Sequence, residues 1–338
     1  MVTVQENVSL KPFNTFRVEA YSRFFVKIDD EAELSSLFQT RYIKEPLLIL
    51  GGGSNILFVK NFEGLTIQMN NKGIFCEQKD DYVLVRAAAG EKWNDLVNYC
   101  VENGFSGVEN LALIPGSVGA APVQNIGAYG VELKDVFFSC SVFEITTGNV
   151  RIFNAEDCEF DYRESIFKKK LKGNCIITSV TLKLSRSSNI RINYAAINQE
   201  LQTRGINHPS IKDISSVVAH IRVNKLPDPS TIGNAGSFFK NPIISKQIFE
   251  TLQSQFPAII HYPVGEDGIK LAAGWLIESC GWKGKQIGNV ATWKNQALVL
   301  VNADIATGEE IFNFSQTIID SVYQKFGIIL EREVNVIS

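Results

Sequence analysis

The chain has 338 residues, 45% of them hydrophobic and 20% charged, and its net charge is −3. That length suits a sizeable core divided over two or three domains. The charge gives no global basic field for nucleic acid or an anionic membrane surface, though local Lys and Arg can meet an anionic small molecule, and no run of about 18 apolar residues spans a bilayer.

The opening residues Met1 to Asn7 lack a basic segment followed by an apolar one, so no signal peptide is expected. Asp29 to Tyr42 predicts a helix with Leu34, Leu37 and Phe38 on one face and Asp29 or Asp30 as its cap. The apolar run Leu47-Leu48-Ile49-Leu50 predicts a buried strand that enters Gly51-Gly52-Gly53-Ser54-Asn55, a backbone turn able to cradle phosphate. This is not a Rossmann turn. The glycines are consecutive rather than spaced GxGxxG, and Ile56-Leu57-Phe58-Val59 continues as another strand-like run instead of a helix. Lys92 to Asn103 places Trp93, Leu96, Val97, Cys100 and Val101 at helical spacing, with Gly104 as the stop.

Leu113 to Pro122 is dense in small residues, and Gln124 to Gly130 extends the tract. Such a stretch lets backbone amides approach a ligand closely, or else forms a tight packing crossover with no ligand. Arg163, in Phe160-Asp161-Tyr162-Arg163-Glu164-Ser165, has the group that clamps a carboxylate with two parallel hydrogen bonds; the plainer alternative is a surface Arg paired to Asp161 or Glu164. Lys168-Lys169-Lys170 predicts a solvated turn, and Cys175 to Leu184 a strand. Ser185 to Asn189 and Pro227 to Ser230 are candidate boundaries.

Gly236-Ser237-Phe238-Phe239-Lys240-Asn241-Pro242 sets one hydroxyl between glycine and two aromatics, where a small donor can reach a planar group. No GxSxG elbow and no nearby histidine frame Ser237, which argues against acyl transfer; an ordinary turn serine is the alternative to a proton donor. Ile269 to Ser279 and Glu309 to Phe326 predict amphipathic helices stopped by Gly281 and Gly327. Ile328 to Ile337 predicts a final strand with Glu331 and Glu333 on one face, either functional or a charged pair on a solvated edge. Six cysteines without a CxxC pair predict reduced thiols, and three histidines without HxxxH spacing predict no metal site. Helices interleave with strands, so the fold class is α+β or mixed α/β.

Eight motifs fall in the order of one family. They are Asn14-Thr15-Phe16, Gly53-Ser54-Asn55, Ile114 to Gly119, Asn125 to Gly130, Tyr162 to Ser165, Lys225-Leu226-Pro227, Gly233 to Pro242 and Leu330 to Val334. From about Asn14 to Val334 the chain resembles the UDP-N-acetylenolpyruvoylglucosamine reductases, also called UDP-N-acetylmuramate dehydrogenases, of the longer first subclass. The resemblance implies an α+β fold. Residues 1–187 would form an FAD-binding domain of the vanillyl-alcohol-oxidase (PCMH) type, with subdomains of about 1–66 and 67–187. Residues 188–215 would be a tyrosine-bearing insertion and linker, and 216–338 a substrate-binding domain whose last strand returns to the active site.

The resemblance further implies noncovalent FAD, with its pyrophosphate along Gly51, Gly52, Gly53, Ser54 and Asn55 and along Pro115, Gly116, Ser117, Gly119, Asn125, Gly127, Ala128 and Tyr129. Arg222 would lie near the flavin. NADPH would pass hydride to the flavin and leave. The enol ether UDP-N-acetyl-3-O-(1-carboxyvinyl)-glucosamine would then enter and be reduced to UDP-N-acetylmuramate for peptidoglycan. Arg163 and Glu333 would stabilise the enolate-like charge and Ser237 would donate the proton, while Tyr162, Tyr194, Lys225, Asn241 and Gln296 would bind the UDP-sugar. A cytoplasmic monomer is the accompanying expectation. The nearest rival is another noncovalent flavin oxidase or dehydrogenase on the same cofactor fold.

Overall fold

A computed structural model describes residues 2–187 and 189–338 of the chain. Met1, and Ser188 within the polar stretch Ser185 to Asn189 and at the start of the expected insertion, lie outside the described residues. The chain divides into two compact units. The first holds the residues as far as Val8, then Ser22–Gly53 and Phe62–Val223; the second holds Ser9–Tyr21, Ser54–Asn61 and Asn224–Ser338.

The first unit is built on two sheets. One is four-stranded, in the order Gln5–Ser9, Tyr21–Ile28, Phe62–Met69, Leu47–Leu50, and the last three strands run parallel. The strand Leu47–Leu50 forms where expected and leads directly into the glycine loop, but only Leu50 is fully buried; Leu47, Leu48 and Ile49 are half-buried. The other sheet is antiparallel, in the order Val150–Asn154, Phe137–Glu144, Cys175–Ser185, Tyr82–Ala88, Ile74–Gln78. Against it the helix Trp93–Glu102 buries Trp93, Leu96, Val97, Cys100 and Val101, the face that its spacing predicts. The helices Ala195–Thr203 and Ile211–Lys225 join the same core through Ile197, Leu201, Ile214, Val217 and Val218.

The second unit carries a four-stranded antiparallel sheet in the order Gly233–Ser237, Gln296–Asn302, Val290–Trp293, Gln286–Ile287. It also has a three-stranded sheet with Gly268–Leu271 between Ile243–Ser245 and His261–Val264. The long helix Gly308–Phe326 starts in a capping box. Thr307 Oγ1 accepts from the Glu310 amide at 3.2 Å, and Glu310 accepts from the Thr307 amide at 2.7 Å. Its Ile311, Phe314, Ile318, Val322 and Phe326 form the buried stripe. The strand Ile56–Phe58 pairs in parallel with Asn335–Ile337, which fastens two ends of the sequence into one unit.

Four sequence expectations need correction. The helix over Asp29 to Tyr42 is confined to Ala32–Leu37, because Thr40 turns extended and its hydroxyl bonds the Leu37 carbonyl at 2.7 Å. Ile269 to Ser279 is a strand and then a helix: Gly268–Leu271 gains pairing on both edges, and Ala273–Ser279 alone is helical. The final strand shrinks to Asn335–Ile337, since the partner strand Ile56–Phe58 offers three residues of ladder. Lys168 is not solvated: its ammonium donates to the Arg163 carbonyl at 3.3 Å and lies 3.4 Å from Glu164. The six cysteines are free thiols, as expected.

Candidate active site

The expected site residues fall in both units. Gly51, Gly52, Gly53, Pro115 to Gly119, Asn125, Gly127, Ala128, Tyr129, Tyr162, Arg163, Tyr194 and Arg222 belong to the first; Ser54, Asn55, Lys225, Ser237, Asn241, Gln296 and Glu333 belong to the second.

In the first unit two backbone loops are pressed together. A Cβ on Gly52 would stand 2.9 Å from the Gly116 Cα, and one on Gly51 would overlap the Ser117 side chain. The Gly116 loop is itself anchored. The Trp93 amide donates to the Gly116 carbonyl at 3.0 Å, and the Gly119 amide donates to the Ala89 carbonyl at 2.9 Å. Side-chain-free backbone just past the end of a parallel strand is a lining suited to a diphosphate, whose oxygens accept from peptide N–H groups. Gly51 and Gly52 are also required by this loop-on-loop packing itself, and the backbone they bring together is of the kind that holds a diphosphate. Asn125 contributes differently: its side chain is fully buried and bonds Glu132, the Asp161 carbonyl and the Lys134 amide.

Leu113, Asn125, Tyr129 and Arg163 are non-glycine residues at φ of 57°, 45°, 51° and 55°. Such conformations persist where the surroundings over-determine them, and they gather at functional sites. The Arg163 guanidinium donates to the Gly127 carbonyl at 2.6 Å and to the Asn125 carbonyl at 3.3 Å, and it lies 5.2 Å from the Tyr162 ring centroid. Its carboxylate neighbour is Glu132 at 3.5 Å. Among the contacts described, Arg163 thus reaches a carboxylate 31 residues away in sequence as well as two backbone carbonyls. Asp161 and Glu164 close the turn that carries it by backbone bonds of 3.0 and 3.2 Å. Tyr129 and Tyr194 pack edge to face at 5.2 Å, and Tyr194 leads the helix Ala195–Thr203 with its ring partly exposed. Burial pushes the Tyr129 hydroxyl above its ordinary value. Burial pushes the Arg222 guanidinium below its own ordinary value, with Tyr129 opposing.

In the second unit a bulge sets Ser237. Asn234 faces Val301 and Ser237 faces Val299, so one extra residue enters the strand between them. Gly236 takes it up at φ 69°, a conformation open to glycine without strain, and its amide bonds the Asn234 side chain at 3.0 Å. Phe238 is then driven into the core while Ser237 stays partly exposed. The chain from Leu330 lies against this segment. The Glu333 amide donates to the Phe238 carbonyl at 2.8 Å, Phe239 bridges Arg332, and Lys240 forms a 2.7 Å ion pair with Glu331. Ser237 and Glu333 thus sit on paired segments. Asn55 joins them by donating to the Glu333 carbonyl at 3.2 Å. Asn241 accepts from the Ala273 amide at 3.0 Å, and a Cβ on Gly274 would stand 2.9 Å from Gln296 Oε1, so both residues flank the start of the helix Ala273–Ser279. Burial, then Lys283, pushes the Lys225 ammonium below its ordinary value.

Sequence reasoning assigned no role to Glu132, whose contact to Arg163 spans 31 residues, or to Asn234, which lies within the Gly233 to Pro242 motif and braces Gly236. Among the described residues no group of His, Cys, Asp and Glu could hold a metal, and no helix is long and apolar enough to cross a membrane.

Comparison with known proteins agrees with this architecture. Residues 22–154 match a family described as FAD binding domain, and residues 228–337 match the UDP-N-acetylenolpyruvoylglucosamine reductase C-terminal domain. The fold and its loops therefore define an FAD-dependent oxidoreductase with an added C-terminal domain. The UDP-N-acetylenolpyruvoylglucosamine reductase of Flavobacterium johnsoniae is 47% identical over 336 residues, covering 99% of both chains. That of Pseudomonas aeruginosa is 44% identical over 334 residues, covering 98% of both. The chain belongs to the UDP-N-acetylenolpyruvoylglucosamine reductase family. The crystal structure of the reductase (MurB) from Thermus caldophilus shares the fold, with a TM-score of 0.68 at 22% identity over the whole of both chains.

Proposed function

We propose that the protein reduces UDP-N-acetyl-3-O-(1-carboxyvinyl)-glucosamine to UDP-N-acetylmuramate with NADPH, the two substrates using one site in turn. Full-length identity to the reductases supports the overall reduction. When bound, FAD supplies the two-electron carrier between NADPH and the alkene.

The chain's own residues supply binding, charge and the proton. The glycine loops hold the FAD diphosphate, and Tyr162, Tyr194, Lys225, Asn241 and Gln296 hold the UDP-sugar. As the alkene is reduced, negative charge gathers on the substrate carboxylate. Arg163 meets that charge, and Glu333 adds a hydrogen bond when it is protonated. Preorganised donors of this kind usually make the largest single contribution to rate. Ser237 gives its hydroxyl proton to the carbon next to the carboxylate. The reading extends to a cytoplasmic monomer, where NADPH and nucleotide sugars are at hand.

The observation that carries the proposal is the pairing of the Ser237 segment with the Glu333 segment, through the 2.8 Å bond from the Glu333 amide to the Phe238 carbonyl. The test is to follow the two half-reactions separately by stopped-flow absorbance. Ser237→Ala should leave bleaching of the flavin by NADPH nearly intact and slow reoxidation by the enol ether by about 10²–10⁴. Glu333→Gln keeps a donor and should lose less than Glu333→Ala. Equal slowing of both half-reactions by Ser237→Ala would make Ser237 a shaper of the flavin site and not the proton donor.

A further inference from the structure

We infer that Glu132 is a positioning residue for Arg163, and that the hairpin of Gly127–Ala128 and Val131–Glu132 is the seat of the guanidinium. The inference rests on the reading that Arg163 meets the substrate carboxylate, and it says how the chain aims that group.

Arg163 has a left-handed backbone at φ 55°, which a residue with a side chain adopts at a cost, so its neighbours must hold it there. The described contacts link them to one another. Arg163 Nη2 donates to the Gly127 carbonyl at 2.6 Å, and Nη1 reaches both the Asn125 carbonyl at 3.3 Å and Glu132 Oε1 at 3.5 Å. Glu132 Oε2 accepts from Asn125 Nδ2 and lies beside Lys134 Nζ, at 3.1 Å in each case. Asn125 Nδ2 also donates to the Asp161 carbonyl at 3.0 Å, which ties the hairpin to the turn that carries Arg163.

Gly127 fits this arrangement by its lack of a side chain. A Cβ there would stand 2.8 Å from Arg163 Nη1, 2.9 Å from Glu132 Cγ and 2.9 Å from the Val131 carbonyl. Both long side chains therefore cross the glycine face at contact distance. This gives Gly127 a protein partner of its own, apart from the diphosphate expected along the same tract.

The charges are arranged to aim the guanidinium without neutralising it. Its shortest bond of those described goes to a neutral carbonyl, while the carboxylate stands at 3.5 Å, beyond the roughly 2.7–2.9 Å of a strong charge-assisted bond. Glu132 is shared with Lys134, so its one negative charge is divided between two cations. Glu132 also caps the short helix Leu133–Asp135, and a purely structural role would end there.

Stopped-flow half-reactions on FAD-loaded enzyme separate the two. Bleaching by NADPH should stay near the parent rate in Glu132→Ala and Glu132→Gln. Reoxidation by the enol ether should slow about tenfold in Glu132→Ala, and less in Glu132→Gln, which keeps an oxygen to accept from Arg163. Substrate binding to the oxidised enzyme, read from the shift in the flavin spectrum, should weaken in the same order. Arg163→Ala should slow reoxidation more, and Glu132→Ala should add nothing to it in the double variant. Parent reoxidation in Glu132→Ala overturns the positioning role, as does a double variant slower than Arg163→Ala by the full Glu132→Ala factor. Parent reoxidation in Arg163→Ala would instead remove the reading of Arg163 itself, and the inference with it. Should Glu132→Ala fail to load FAD, Glu132→Gln and Gly127→Ala decide: Gly127→Ala that loses FAD while its loaded fraction reoxidises normally refutes the seat.

Discussion

Asn234→Ala probes the local device that presents Ser237. Asn234 is buried, and its Nδ2 donates to the Ile232 carbonyl at 2.9 Å and the Pro227 carbonyl at 3.3 Å, while Oδ1 accepts from the Gly236 amide at 3.0 Å. Each such bond contributes about 0.5–1.5 kcal/mol net, and more when truncation strands its buried partner. With the 3.3 Å contact counted as weak, the loss comes to about 2–3 kcal/mol. Three of the four tryptophans, Trp275, Trp282 and Trp293, lie in the second unit, so fluorescence during urea unfolding reports this region. The midpoint should fall by roughly 1 M for an m-value of about 2–3 kcal/mol/M. Freed of its brace, the bulge should misplace the Ser237 hydroxyl and slow reoxidation by the enol ether about ten- to a hundredfold, with bleaching by NADPH spared. An unchanged midpoint would refute the energetic argument. A lowered midpoint with parent reoxidation would show that the bulge does not aim Ser237.

Tyr194→Phe keeps the ring that packs on Tyr129 at 5.2 Å and removes the hydroxyl alone. It should weaken UDP-sugar affinity by about 1.5–3 kcal/mol, the worth of one hydrogen bond to a charged group, with flavin reduction near normal. Equal affinity by calorimetry would leave Tyr194 a packing residue. Thiol labelling at pH 8 should reach exposed Cys76 first. Burial, then Glu144, pushes the Cys175 thiol up to about 12, so its thiolate is about one part in ten thousand at pH 8 and grows as pH rises. Mass mapping that finds Cys175 labelled as fast as Cys76 would contradict its burial, and all six thiols should react in denaturant.

Local pattern carried much of this protein in its sequence. The face of Trp93–Glu102, the run Leu47–Leu50 into its glycines and the capped Gly308–Phe326 are each set by residues within a turn or two of one another. Periodicity and capping act over that range, so they are readable without the fold. The same holds for Ser237 as a small hydroxyl between glycine and phenylalanine. The motif order went further and identified the family, with the residues expected to do its chemistry.

Other features depended on pairing between distant segments. Ile269 joined a strand because Gly268–Leu271 found partners on both sides, which outweighed helical spacing. Ile56–Phe58 entered the second unit because its ladder partner is Asn335–Ile337, at the far end of the chain. Arg163 reached Glu132 and the carbonyls of Asn125 and Gly127, all more than 30 residues away in sequence. Chain separation says nothing about such meetings. They follow from a left-handed turn, a glycine with no side chain in the way and a hairpin whose position is fixed only when the sheets have closed.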